Sequence, residues 1–279
     1  MLNTNKKEPE RFSSRIDAVG EFRIHARVSA RPAGPERPPV VLLHGLVVSS
    51  RYMLPLAQRL AARCSVSVPD LPGWGKSSKP HQALSVPELA DALVRWFDAV
   101  GVQRPVLVAN SFGCQVAADL AARYPDRVAL LVLLGPTVDP QERNFWRIAG
   151  RWLLDVPLEP PSLVFIIARD LWDMGLRGLV ACIRVMLADR IEQKLPRISA
   201  PTLVVRGQRD PTVTARWAAS AARLLPSGRS VAIAGAAHSV NYNSPATVTR
   251  IVEAFMQAWQ PPQDAPGQDA PVPACADAS

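Results

Sequence analysis

The sequence lacks most of the residues that would mark a metal site, a disulfide framework or a membrane span. Its 279 residues hold only 4 cysteines. Cys64, Cys114, Cys182 and Cys275 are widely separated and form no paired ligand spacing, which excludes the common zinc and disulfide-scaffold patterns. Scattered thiols in a chain of this length read as reduced. No uninterrupted apolar run approaches the roughly 18 residues that a spanning helix requires. Behind Lys6 and Lys7 there is no apolar stretch of the signal-peptide kind, so the cytoplasm is the expected location. No internal repeat is visible, and no cluster of side chains implies a metal or an organic cofactor. Histidine is scarce too: the choice of a general base falls among His25, His44, His81 and His238.

What is present is a globular composition, 48% hydrophobic and 20% charged, enough for a sizeable core. The length suits one α/β domain carrying an insertion. The formal net charge of +8 comes mostly from dispersed arginines, and the longest basic cluster is Lys6-Lys7. Without a zinc-finger, helix-turn-helix or RNA-binding signature, that charge reads as general solvation and not as a nucleic-acid footprint. It is compatible with a mild preference for anionic substrates. A small-molecule substrate is the expected partner, and nothing in the pattern sets an oligomeric state.

Short apolar runs alternate with helically spaced segments. Pro39–Leu43, Ser65–Val68, Val106–Ala109, Val128–Leu134, Thr202–Val205 and Ser230–Ile233 are apolar with little alternation and stop at or next to Gly, Pro, Asp or Asn. Such runs suit central strands covered on both faces. Between them, 52–63, 87–99, 112–123, 213–225 and 245–259 have helical spacing, with Ser85 as a possible cap for the second. The alternation predicts a doubly wound, mostly parallel sheet, with Phe22–Val28 as an antiparallel edge strand. The expected organisation is a flexible segment over 1–19, a core over 20–139 and 197–260, and a disordered tail over 261–279 rich in Pro, Ala, Gln and Asp. From 140 to 196 the strands stop and Trp146, Trp152, Phe165, Trp172 and Met186 accumulate. That composition predicts a helical lid over a pocket.

Chemistry concentrates at Val108-Ala109-Asn110-Ser111-Phe112-Gly113. A buried strand runs into a helix with a serine at the corner, and small residues two before and two after let the backbone turn sharply enough to expose the hydroxyl. The helix that starts at Phe112 directs N–H groups and a positive dipole end at that corner. A serine needs a base to be a nucleophile at neutral pH. His238, in the loop after the last apolar strand, is the candidate. Asp210, before Pro211 at the start of a helix, is the candidate acid to orient the imidazole, or else a plain helix cap. Asp139, after the preceding strand, competes for that role.

With Ser111, Asp210 and His238 in that order, the sequence resembles the α/β-hydrolase superfamily over about residues 20–260. His44-Gly45 looks like the family's oxyanion motif, and Asp70-Leu71-Pro72-Gly73-Trp74-Gly75-Lys76-Ser77 is similar to a loop found in many members. The resemblance implies an α/β-hydrolase fold and an oxyanion hole made by the backbone N–H of Phe112 with one from Leu46 or Val47. His44 is then a structural residue tying its loop. Asn110, Trp74, Trp146 and Trp172 are the expected pocket residues. Asn110-Ser111 also resembles the elbow of meta-cleavage-product carbon–carbon hydrolases. The leading expectation is a serine hydrolase acting on a small or hydrophobic carboxylic ester. The alternatives are a cofactor-free carbon–carbon hydrolase and, from another class, a non-catalytic small-molecule receptor.

Overall fold

The computed structural model describes residues 12–30 and 38–259. The first eleven residues and the expected tail lie outside the described residues. Strands β1 (Phe12–Val19), β2 (Phe22–Ser29), β3 (Val40–Leu43), β4 (Val66–Pro69), β5 (Val106–Asn110), β6 (Leu130–Leu134), β7 (Thr202–Gly207) and β8 (Gly228–Ile233) form one sheet. Its order is β1-β2-β4-β3-β5-β6-β7-β8. The β1–β2 and β2–β4 pairs are antiparallel and every other pair is parallel. The helices are α1 (Ser50–Leu60), α2 (Val86–Val100), α3 (Phe112–Arg123), α4 (Phe145–Asp155), α5 (Pro161–Ala188), α6 (Ile191–Lys194), α7 (Ala215–Leu224), α8 (Val240–Asn243) and α9 (Pro245–Ala258).

The unbroken apolar strands are explained by helices on both faces. Val40 and Leu42 of β3 pack with Leu56 and Leu60 of α1 and Val248 and Val252 of α9. Val41 and Leu43 point the other way, into a core with Leu89 and Leu93 of α2, Leu120 of α3 and Trp217 of α7. Successive strand residues point to opposite faces, so a strand sandwiched by helices must be apolar throughout. Local chemistry fixes the helix ends. Ser85 and Glu88 form a reciprocal capping box at α2, with the Ser85 N–H donating to the Glu88 carboxylate at 2.7 Å.

Chain order reverses between β3 and β5, whose neighbours lie on opposite sides. In an open parallel sheet the crevice at the carboxyl ends of such strands is where ligands bind. Here those ends lead into His44-Gly45-Leu46-Val47 and into Ser111.

One boundary moves. Residues 12–19, expected within the flexible N-terminal segment, form β1, so β2 is the second strand and not the edge. The reason is pairing: full antiparallel register with β2 holds a strand whose own residues are mostly exposed. The helical insertion of α4, α5 and α6 lies between β6 and β7, as expected, and forms a cap. Within α5, Gly175 has φ 72° and ψ 164°, so the helix is two arms joined at a kink. The first arm is tied down by Asp170, which accepts from the Ser49 N–H at 2.7 Å and pairs with Arg51 at 2.6 Å. Among the described residues no helix is long and apolar enough to cross a membrane.

Candidate active site

Ser111 sits between the last residue of β5 and the first of α3, with φ 54° and ψ −121°. Positive φ is costly for any residue with a Cβ, and such strain persists only where the surroundings enforce it. They do so here: the Ser111 N–H donates to the Leu134 carbonyl at 2.9 Å and its own carbonyl accepts from Cys114 N–H at 2.9 Å. Gly113 must stay small, because a Cβ there would lie 2.6 Å from the His44 carbonyl oxygen. Phe112, as the first helical residue, has no carbonyl one turn back for its N–H to bond.

His238 and Asp210 meet in the structure. His238 Nδ1 lies 2.9 Å from Asp210 Oδ2. The other carboxylate oxygen accepts from the Thr212 and Val213 N–H groups at 2.7 and 2.9 Å, which holds the acid in place. The cap of α7 is Thr214, so Asp210 is a loop anchor and a histidine partner, not the helix cap. Gly135 makes room for the pair: with φ 58°, it comes so close that a Cβ would lie 3.0 Å from His238 Cε1. Asp139, the competing acid, is turned away. It accepts from Thr214 Oγ1 at 3.1 Å and pairs with Arg216 at 3.0 Å.

His238 Nε2 is buried with no hydrogen-bond partner among the described residues, and His238 and Ser111 line one cavity of about 290 Å³. Burial opposes a charge on the imidazole, but Asp210 outweighs it, helped by Asp155 and Glu159, and the His238 pKa rises to about 9. The two further carboxylates come from the cap. Asp155 accepts from the His238 N–H at 3.3 Å, and Glu159 from the Ser239 N–H at 2.7 Å. Burial lifts the Asp155 pKa to about 6, with Glu159 and Asp210 adding to the rise and His238 opposing it.

The cavity wall is apolar apart from a few groups. Leu46, Val47, Leu163, Ile167, Leu171 and Leu179 line it, with Trp152. Its polar members are Tyr52, Asn110, Ser111, Asp155, Glu159, His238 and Ser239, and it contains no lysine or arginine. Asn110 is buried, donates to the Leu134 carbonyl at 3.1 Å and accepts from the Tyr52 hydroxyl at 3.1 Å. Tyr52, Trp152, Asp155 and Glu159 were not identified from the sequence. The one visible signal was an aspartate within Trp152-Leu153-Leu154-Asp155-Val156.

Three expected pocket residues are corrected. Trp146 and Trp172 are 77% and 88% exposed and do not line the cavity, because their faces of the cap helices point to solvent. Trp74 is buried behind the site. Its indole N–H donates to the Leu46 carbonyl and its ring stacks on Phe112 at 5.8 Å, so it supports the cavity-lining loop without touching the cavity. His44 is the structural residue expected: it accepts from the Leu71 N–H at 3.1 Å, and its Nδ1 lies 2.9 Å from the Gly45 carbonyl oxygen. His25, the first of the four histidines, is not near Ser111: its Nδ1 lies 2.7 Å from Asp70 Oδ2 in a buried network outside the cavity lining. Among the described residues no group of three or more His, Cys, Asp or Glu could hold a metal ion.

Several known proteins are similar to this chain. It is 26% identical over 278 residues to a 2-(acetamidomethylene)succinate hydrolase of Mesorhizobium japonicum, covering 89% of this chain and 97% of that one. It is 30% identical over 206 residues to Lipase LipV of Mycobacterium tuberculosis, covering 64% of this chain and 76% of the relative. The crystal structure of a membrane phospholipase A superposes with a TM-score of 0.75 at 25% identity, covering 88% of this chain and 86% of that one. Residues 40–251 match the model of the Alpha/beta hydrolase family, and with the sheet order and strained serine corner described above, this chain belongs to that family.

Proposed function

We propose that the protein is a serine hydrolase that cleaves small, neutral, apolar carboxylic esters through an acyl-enzyme. One observation carries the reading: a strained serine and a histidine with an unpartnered Nε2 share an apolar cavity, and a buried aspartate holds the other ring nitrogen. Ser111 Oγ attacks the ester carbonyl carbon while His238 Nε2 takes its proton. The Phe112 N–H and one from Leu46 or Val47 stabilise the oxyanion, each worth about 10²–10³ in rate. Collapse expels the alcohol, which takes the proton from the imidazolium. A water then attacks the acyl-serine with His238 again as base, and the carboxylic acid leaves. Asp210 fixes the ring tautomer and balances its charge throughout.

The lining supports a neutral substrate. Asp155 and Glu159 contribute carboxylates, and the lining has no lysine or arginine to offset them; its positive charge is confined to the His238 imidazole. A substrate bearing its own carboxylate would be buried beside like charge, at a cost. This weighs against the dienone acids of meta-cleavage carbon–carbon hydrolases, although Asn110 does stand beside Ser111 in the wall as that reading expects. The basic surface therefore does not extend into the cavity. A volume of about 290 Å³ lies at the lower end for ligand pockets and suits short acyl chains.

The test is a turnover screen of p-nitrophenyl esters of graded acyl length, with lactones and a dienone acid alongside, and labelling by a fluorophosphonate. Short esters should turn over fastest and the probe should label Ser111. Faster turnover of the dienone acid would favour carbon–carbon cleavage. No labelling and no turnover would favour the receptor reading.

A further inference from the structure

The cap helix α5 is apolar on two sides. Leu163, Ile167 and Leu171, four residues apart, face inward and line the cavity. On the first arm Phe165, Ala168, Arg169 and Trp172 share the opposite, exposed face, and on the second arm Leu176, Arg177, Val180 and Arg184 repeat that pattern. An ordinary surface helix would carry polar residues there. Thirteen large apolar side chains stand exposed among the described residues; ten belong to the cap, and eight of those, all but Val156 and Val164, lie outside the cavity lining. Scattered exposed apolar groups are normal; this concentration is not.

Charge indicates what covers this face. Arg147, Arg169, Arg177 and Arg184 are exposed on the cap helices and form no ion pair among the described residues. Between 145 and 184 the single exposed acid is Asp173. Aromatic side chains with arginines interspersed suit the boundary between lipid headgroups and acyl chains, where Trp is favoured and Arg pairs with phosphate. A second copy of this chain fits less well, because a two-fold contact would set the same basic face against itself.

We propose that the outer face of the cap docks on the surface of anionic lipid bilayers. The inner face of α5 lines the cavity, so docking brings the cavity within about one helix diameter, roughly 10–12 Å, of the bilayer. Apolar substrate dissolved in the lipid is then concentrated at the entrance. The surface stands independently of which bond the site cleaves.

Vesicle flotation of the full chain tests this, using phosphatidylcholine alone and phosphatidylcholine mixed with phosphatidylglycerol. The wild type should float with the mixed vesicles, weaken in high salt, and show a blue shift in tryptophan emission. The double variants Phe165→Ser/Trp172→Ser and Arg169→Glu/Arg177→Glu should each bind about tenfold or more weakly. Their melting temperatures should match the wild type; if the first fails to fold, the arginine variant decides alone. The proposal is overturned if the wild type ignores both vesicle types or if the folded variants bind undiminished. It is also overturned if the wild type is a dimer in solution that the variants split and that binds no lipid.

Discussion

The sheet side of the cavity and the cap side use apolar residues differently. In β3, β5 and β6 every residue is buried, and each contributes to the core whichever way it points. In the cap, Leu163 is buried while Phe165, two residues on, is largely exposed. Burial on the sheet side supplies the rigidity that holds Ser111 and the loops of Asp210 and His238. The cap adds only the Asp155 and Glu159 contacts to the His238 loop, so most of its composition can serve the ligand on one face and the surroundings on the other. Chemistry should therefore fail when the sheet side is changed, and selectivity and pH response should change when the cap is.

The largest effect belongs to the acid. Asp210→Asn should lower kcat by about 10⁴ with little change in substrate binding, because the imidazole loses the partner that fixes its tautomer. Asp139→Asn, whose carboxylate faces Arg216 and not His238, should leave kcat almost unchanged. Steady-state kinetics of both variants check this, and a reversal of the two outcomes would mean that the acid was chosen wrongly.

Stability comes next. Leu133 of β6 is fully buried and Leu153 of α4 is largely exposed. Leu133→Ala should cost about 2–5 kcal/mol, a transfer and a cavity term together. Leu153→Ala should stay within about 0.5 kcal/mol. Urea unfolding of the pair measures the contrast; equal losses would show that the cap is as load-carrying as the sheet.

The same division explains what could be read from the residues alone. The serine corner was legible because its chemistry is local: a buried run, small residues around Ser111, and a helix behind it. His238 was legible from its place after the last strand. Choosing between Asp210 and Asp139 needed the third dimension, since both follow strands and only one meets Nδ1. In the cap, periodicity marks a face but cannot say which face looks inward when both are apolar. Trp146 and Trp172 were therefore expected in the pocket they turn away from. Tyr52 was missed because its place in the cavity wall and its hydrogen bond to Asn110, 58 positions along the chain, are set by the fold alone.

A smaller effect crosses the boundary between the two regions. Asp155 belongs to the cap, yet its charge helps to raise the pKa of His238. The base must be neutral to accept a proton, so kcat/KM should rise as pH passes through the imidazole pKa, raised to about 9. Asp155 ionises above about 6 and is an anion in that window. Asp155→Asn removes a charge that favours the imidazolium, and the acidic limb should move to lower pH by about one unit. A pH profile of kcat/KM reads the shift directly. Movement toward higher pH, or none, would remove Asp155 from the electrostatics of the base.

The smallest effect compares two positive-φ residues. At the kink of α5 the cap places Gly175, φ 72°, where no Cβ has to be accommodated. At the corner after β5 the sheet keeps a serine at φ 54°, because its hydroxyl is needed there. Strain is thus relieved where nothing reacts and retained where something does. Ser111→Gly should unfold about 1 kcal/mol less readily than Ser111→Ala, both being inactive, since only glycine takes that conformation without penalty. Gly175→Ala should cost a similar amount in the opposite sense, about 1 kcal/mol. Denaturant melts of the three variants decide it. If Ser111→Gly is no more stable than Ser111→Ala, the corner stores no strain, and the close contacts around Gly113 and Gly135 must hold the serine in a conformation it would adopt unaided.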